Sequence, residues 1–327
     1  MKIKITKLKE KMLSVFQEKF TAKEAEIITE YLIWAEMSGI KTQGMIKLIG
    51  AEPLQDIEPK HAIKIERDTK LSQLINAGGA PAPLVSSIAT DTVITKSKQY
   101  GFGIVGVHNT FSSNGSQAYY VEKIAKMGLI GFMCSRSPAA TSAFGSIDPL
   151  FGTNPFGVAF PTQEEPLVFD MATSAITWYG LILAKARGEK IPKNVAIDVN
   201  GAITTDPAKA MEGSLLSFDK SYKGSTIGAL VEVLAGPLVS SAYIDNKTFK
   251  EEWGSLFIAL NPNLLVDAEK FKSSCSDLIK KIKNSRKKKG VTEIRLPGER
   301  SKTEYKKTLT SGFVDIDEVI LKKLKFI

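Results

Sequence analysis

The chain has 327 residues, of which 43% are hydrophobic and 24% charged, with a formal net charge of +9. That size and balance exclude a disordered or fibrous chain and leave room for one large α/β domain or two smaller ones. Two cysteines, Cys134 and Cys275, and two histidines, His61 and His108, exclude a disulfide framework and a Cys/His zinc module. A reducing, cytoplasmic setting without a metal is therefore expected.

The opening "MKIKITKLKEKML" scatters charge throughout and lacks an apolar core, so no secretory signal is expected. Leu8, Met12, Val15 and Phe16 mark one face of a first helix. Thr21 and Glu24 have capping-box spacing, and Ala25, Ile28, Leu32 and Ala35 continue a second helix that Gly39 closes. Within it, Tyr31-Leu32-Ile33-Trp34 exceeds what one buried stripe requires, which suggests a second packing surface on a partner subunit. Beyond Gly39 stands the polar Thr42-Gln43-Gly44, with Lys47 three residues on, where a turn alone would need only the glycine. A less regular stretch then runs to about residue 70.

From residue 71 the texture becomes α/β. A helix from Pro83 to Tyr100 leads into the strand "GFGIVGVHN", then a helix stopped by Gly128 and the strand "LIGFMCS". "FGVAFPT" and "PLVFDMA" read as strands, followed by a helix at about 174–187 and a hairpin with Asn200-Gly201 at its tip. A helix begins after Lys223, "SLFIALNP" is a late strand, and helix dominates about 267–285. Hairpins interrupt the βαβ alternation, which predicts a mixed sheet. No run of about 18 apolar residues lacks a charge or turn residue, so no membrane span is expected.

The positive charge concentrates in "KKIKNSRKKKG", without interleaved aromatics, and arginine occurs only six times. This reads as a solvated helix end rather than a nucleic-acid surface. No dinucleotide-binding glycine fingerprint separates a strand from a helix, since "GFGIVG" opens a strand. Phosphate-loop and nucleophile-elbow motifs are missing as well. Two junctions carry more. "FDMATS" brings Asp170 to a strand end and places Thr173 and Ser174 where a helix should start; "SYKGST" brings Lys223 to another helix start. Each helix N-terminus can receive a phosphate, and each can equally be a plain cap with a surface lysine.

"FGTNPFGVAFPT", "PLVFDMATSA", "IPKNVAIDVNGAITTDPAKAM", "YKGSTIGALVEVLAG" and "IRLPGER" follow one another in an order that closely resembles the malate/L-lactate dehydrogenase family of the non-Rossmann type. That family includes ureidoglycolate, sulfolactate and diketogulonate enzymes and cyclic-imine reductases. The resemblance implies a three-layer α/β fold with a mixed, non-Rossmann sheet and a helical part formed by the two termini. It implies division into an N-terminal helical part (1–70, substrate side and dimerisation), a mixed-sheet cofactor domain (71–265) and a C-terminal helical part returning to the first (266–327). It also implies an NAD- or NADP-dependent oxidoreductase of small 2-oxo or 2-hydroxy acids or related imines, acting as a homodimer. By the same resemblance Ser137, Asp170, Met171, Ala172, Thr173, Ser174, Lys223, Gly224, Pro297, Gly298, Glu299 and, less directly, Arg300 border the cofactor.

Against that pattern two segments depart. Family members carry Ser-His-Gly-x-x-Arg after the second helix, the His acting as acid/base and the Arg holding the substrate carboxylate. Here Gln43 and Lys47 stand in those places. Lysine keeps the charge without the bidentate fork, and a glutamine amide donates a hydrogen bond without giving up a proton. Many members also carry Asn-Ser-Asn-His-Phe-Gly after a strand, where Ser112 falls nearest the histidine. A proton could then come through water, Tyr120 or His108, although a histidine hydrogen-bonded at the sheet is the simpler account of His108. The other reading of these departures is a chain that keeps the cofactor pocket but has lost dehydrogenase chemistry, with a binding or assembly role.

Overall fold

The structure, a computed structural model, is described for residues 1–49, 53–244 and 253–324. Strand β1 (Lys2–Lys4) leads into α1 (Ile5–Phe16) and α2 (Ala22–Met37). The capping box is present: the Glu24 N–H donates to Thr21 Oγ1, and the Thr21 N–H to Glu24 Oε2. Next come β2 (Lys64–Asp68), β3 (Ser72–Asn76), α3 (Ala82–Tyr100), β4 (Phe102–Thr110), α4 (Ala118–Lys126) and β5 (Ile130–Arg136). Short strands β6 (Thr141–Ser142) and β7 (Pro149–Phe151) precede β8 (Phe156–Phe160) and β9 (Leu167–Met171). A smaller subassembly holds α5 (Trp178–Arg187), β10 (Ala196–Ile197), α6 (Pro207–Glu212) and β11 (Ser214–Leu215). The chain continues through α7 (Tyr222–Ala235), β12 (Trp253–Leu260), α8 (Ala268–Lys283), α9 (Glu299–Ser311), β13 (Phe313–Asp315) and α10 (Glu318–Lys323).

The main sheet has the order β2-β3-β4-β12-β5-β8-β9. Only β3 and β4 pair in parallel, and the other neighbours are antiparallel, so the sheet is mixed as expected. Its two faces follow the strand period of two. Val105, Val107, Phe257 and Ala259 join a core with α2, α3 and α4, while Ile104, Leu256 and Ile258 face α7. Helices thus cover both faces in three layers. β1 pairs with β13, and α9 packs on α2, so the last helices return to the first.

Three local expectations change. The helix expected from 174 begins at Trp178, because Thr177 caps it by accepting the Gly180 N–H, while Ser174 forms a bridge to Ser217. The Asn200-Gly201 turn forms, but its hairpin shrinks to one bridge, Ile197 to Ile203, because β10 pairs with β11 instead. Three of the four residues in the apolar run of α2 are absorbed within the chain, and Trp34 is half-buried. Tyr31, Leu32 and Ile33 are buried, and the Tyr31 ring stacks on Tyr120 of α4 at 5.9 Å between centroids. Burial of side chains this size contributes about 1.5–3 kcal/mol each, without requiring a partner subunit.

Candidate active site

The segment after α2 is shaped by a buried carboxylate. Glu36, in the last turn of α2, accepts the Met45 N–H at 2.7 Å and pairs with Lys41 at 2.9 Å. Burial raises the Glu36 pKa, with Lys41 and the Met45 N–H opposing the shift. A Cβ on Gly44 would lie 2.4 Å from Glu36 Oε1, so only glycine lets the chain pass this carboxylate. That explains the glycine of Thr42-Gln43-Gly44. Its neighbours Thr42 and Gln43 are thereby held on the wall of a cavity of about 720 Å³, within the range of small-molecule and cofactor sites.

The adjoining wall is the loop between β4 and α4, from which Ser113, Asn114, Gly115 and Ser116 line the cavity. The Tyr31 hydroxyl bridges the two segments, donating to the Gln43 carbonyl at 3.1 Å and accepting the Ser116 N–H at 2.6 Å. Ser116 Oγ and the Ala118 N–H both donate to Asp170 Oδ2, at 2.6 and 3.0 Å. Asp170 is open to the cavity, yet protein surrounds it. That enclosure raises its pKa, and the bonds from Ser116, Ala118 and Gln117 oppose the rise.

Among the sequence-predicted residues, Gln43, Ser137, Asp170, Met171, Ala172, Gly298 and Arg300 line this single cavity. Ser137 follows β5 and is anchored by the Thr153 N–H donating to its Oγ and by Asn154 accepting its N–H. Gly298 has φ +83°, and a Cβ there would sit 3.1 Å from the Val168 carbonyl oxygen. Its position brings the start of α9 against β9. Two orphaned buried atoms belong to wall residues: Gln43 Oε1 and Trp253 Nε1 have no hydrogen-bond partner among the described residues.

Other predicted residues lie elsewhere. Thr173 and Ser174 are buried structural groups, Thr173 Oγ1 donating to the Thr153 carbonyl and Ser174 Oγ to that of Ile176. Lys223 is exposed at the start of α7. The free N–H groups of that helix end are already engaged, Lys223 N–H by Ser221 Oγ and Gly224 N–H by the Asp219 carboxylate. Pro297 and Glu299 line a separate hollow of about 250 Å³.

The residues expected on the substrate side also separate. Lys47 is 1% exposed and does not form the cavity wall. Its Nζ donates to Ser113 Oγ at 2.7 Å and lies 3.6 Å from the centre of the Tyr179 ring, and both of those residues do line the cavity. Ser112, expected nearest the family histidine, is buried and accepts the Ala82 N–H at the start of α3. Tyr120 is likewise buried, its hydroxyl donating to the Asn114 carbonyl. His108 sits on β4 outside the cavity wall, its Nε2 2.9 Å from Glu66 Oε2. It is the hydrogen-bonded sheet histidine rather than a pocket acid.

Sequence reasoning missed one end of the cavity. Lys126, Lys302 and Lys306 line it together with Glu122 and Glu165, beside the predicted Arg300. Lys126 and Lys306 pair with those carboxylates at 3.1 Å each. Burial lowers the Lys302 pKa, against the pull of Glu122 and Glu165. The i, i+4 pair Lys302/Lys306 on α9 was the available signal, since that spacing puts both on one helix face. Trp34, Trp178 and Trp253 add flat apolar wall. Among the described residues no His/Cys/Asp/Glu group could hold a metal ion.

A family model described as malate/L-lactate dehydrogenase matches residues 3–325. The malate/(S)-sulfolactate dehydrogenase of Methanothermus fervidus is 30% identical over 311 residues, covering 92% of this chain and 89% of that protein. A Δ1-pyrroline-2-carboxylate reductase of Ancylobacter novellus is 29% identical over 299 residues, covering 88% and 86%. The solved sulfolactate dehydrogenase of Methanocaldococcus jannaschii superposes with a TM-score of 0.85 at 29% identity, covering 99% of this chain and 96% of that one.

Proposed function

The chain belongs to the malate/L-lactate dehydrogenase family, and on that premise we propose that it transfers hydride between a nicotinamide cofactor and a small 2-oxo or 2-hydroxy acid. One observation carries the reading. The cavity joins the cofactor-side group Ser137, Asp170–Ala172 and Gly298 to Gln43 on the substrate side. The wall suits a nicotinamide dinucleotide: indoles for flat rings, hydroxyls and backbone for sugars, and a cationic end for anions. When bound, that cofactor supplies or accepts the hydride. The chain's own residues orient it and exclude water.

Gln43 would steer the substrate through its amide, whose buried carbonyl oxygen has no partner among the described residues. Arg300, without an ion pair among the described residues, is the group we assign to an anionic group of substrate or cofactor. The test is cofactor oxidation with NADH and NADPH separately, against pyruvate, oxaloacetate, sulfopyruvate and cyclic imines. Failure of both cofactors to turn over with every member, while either binds, supports the second reading: a cofactor-binding protein without dehydrogenase chemistry. That reading is favoured by one observation, the absence of a histidine from the cavity wall among the described residues.

We also propose a homodimer, supported by Tyr222, Leu230 and Val233, which recur on one exposed face of α7. A light-scattering mass near 35.7 kDa would refute it. A cytoplasmic location is the setting that fits the free thiols Cys134 and Cys275. No described helix is long and apolar enough to cross a membrane.

A further inference from the structure

We infer that the Ser113 hydroxyl gives the proton to the substrate oxygen, with Lys47 as the proton store behind it. The inference rests on the oxidoreductase reading above and adds the group that replaces a pocket acid. Ser113 Oγ accepts two hydrogen bonds, from Lys47 Nζ at 2.7 Å and from the Gly115 N–H at 3.1 Å. Those donors occupy both lone pairs of the hydroxyl oxygen. Its own hydrogen is thereby turned away from them, and no described residue accepts it. Ser113 lines the cavity, so the acceptor it lacks is one that a ligand brings.

The other two loop serines cannot do this. Ser112 is buried against α3, and Ser116 already donates to Asp170. Lys47 has the complementary property: it is enclosed, its Nζ touches Ser113, and the Tyr179 ring face stabilises an ammonium there. It reaches the cavity through Ser113 rather than directly. The arrangement is a serine on the wall with a cation against its oxygen, which makes the hydroxyl a better proton donor.

The step balances. A bound reduced nicotinamide would supply the hydride to the substrate carbonyl carbon and be oxidised, with the C=O π pair moving to oxygen. That oxygen takes the Ser113 hydroxyl proton as the Oγ–H bond breaks. Ser113 Oγ recovers a proton from Lys47 Nζ, and after product leaves, water in the open cavity returns a proton to Lys47 through Ser113. In the oxidative direction each transfer reverses.

The experiment compares wild type with Ser113→Ala, Ser113→Thr and Lys47→Arg, using the 2-oxo acid that wild type reduces fastest. Ser113→Ala should lower kcat by about a hundredfold or more. Affinity for reduced cofactor, by fluorescence titration, and for the unreactive analogue oxamate, by thermal shift, should change by less than about threefold. Ser113→Thr keeps the hydroxyl and should restore kcat to within about tenfold of wild type. Lys47→Arg keeps the charge but cannot release a proton near neutral pH, so its kcat should fall as in Ser113→Ala. A cyclic imine already protonated on nitrogen should be reduced by Ser113→Ala at the wild-type rate.

Wild-type kcat in either Ser113→Ala or Lys47→Arg overturns the inference alone. Loss of oxamate binding in step with kcat also overturns it, by making Ser113 a binding group. If Ser113→Ala does not fold, Ser113→Thr and Lys47→Arg decide. Wild type that reduces only imines overturns it too, because no oxygen then needs a proton. Wild type that turns over nothing removes the oxidoreductase reading and this inference together.

Discussion

A Cβ on Gly115 would lie 1.6 Å from the Tyr31 hydroxyl oxygen. The contact matters because that hydroxyl ties the Gln43 segment to the Ser116 loop, both of which line the cavity. Gly115 also has φ +83°, which an L side chain rarely adopts. Gly115→Ala should therefore push Tyr31 out of its bridge and destabilise the protein by about 3 kcal/mol or more, read by urea unfolding. Tyr31→Phe removes the bridge without the clash and should cost about 1–3 kcal/mol. A Gly115→Ala protein as stable as wild type would show that the loop can move away freely.

Glu36 gives a pH dependence whose sign is fixed. Its unfolded carboxyl titrates near the ordinary value of 4.5, and burial places the folded pKa above that. Between the two values the folded state binds the extra proton, so this group makes stability fall as pH rises through the window. Glu36→Gln keeps an acceptor for the Met45 N–H and no longer titrates. Its stability relative to wild type should climb across that window, measured by urea unfolding from about pH 4 to about pH 8. A pH-independent difference would mean that Lys41 and the Met45 N–H offset the burial fully.

The fold was legible wherever local signals and packing agreed. The capping box at Thr21 and Glu24, the stop at Gly128 and the apolar strands β4, β5, β8, β9 and β12 were all readable. The charged strand β2 was not, because every residue in "KIERD" is exposed and an edge strand has no buried face to mark it. The start of α5 was misplaced because Thr173, Ser174 and Thr177 are all acceptable caps, and the bridge from Ser174 to Ser217 decides between them. Ser137, Asp170, Met171, Ala172 and Gly298, which the family resemblance puts beside a cofactor, could be named from their motifs, and they line the cavity. Ser113 could not be separated from Ser112, because which serine turns toward Lys47 depends on a pairing 66 residues apart. The apolar excess of α2 was seen correctly as a second contact, but its partner is α4 of the same chain.

Arg300 offers a test of charge at the cationic end of the cavity. It lines the wall beside Lys302 and Lys306, and it has no ion pair among the described residues. Arg300→Met should weaken the ligand whose anionic group it meets by about tenfold. Separate titrations of NADH, NADPH and oxamate identify which one. Equal binding of all three to the variant would remove Arg300 from the site.

Gln43 lines the cavity, and its buried side-chain oxygen lacks a partner among the described residues, while its backbone is fixed by Tyr31 and by its own N–H donating to the Ile40 carbonyl. A side chain on so rigid a base acts mainly by orienting a ligand, and it cannot supply a proton near neutral pH. Gln43→Leu should raise KM for the substrate by about tenfold while changing cofactor affinity little. Gln43→His puts a titratable group on the same wall. If Ser113 already protonates the substrate oxygen, that histidine adds no acid function that the pocket lacks, and kcat should stay level or fall. A rise of about a hundredfold on a 2-oxo acid would instead mean that the native pocket has no working acid. That result would place the deficit at position 43 and leave Ser113 and Lys47 as structural partners of each other.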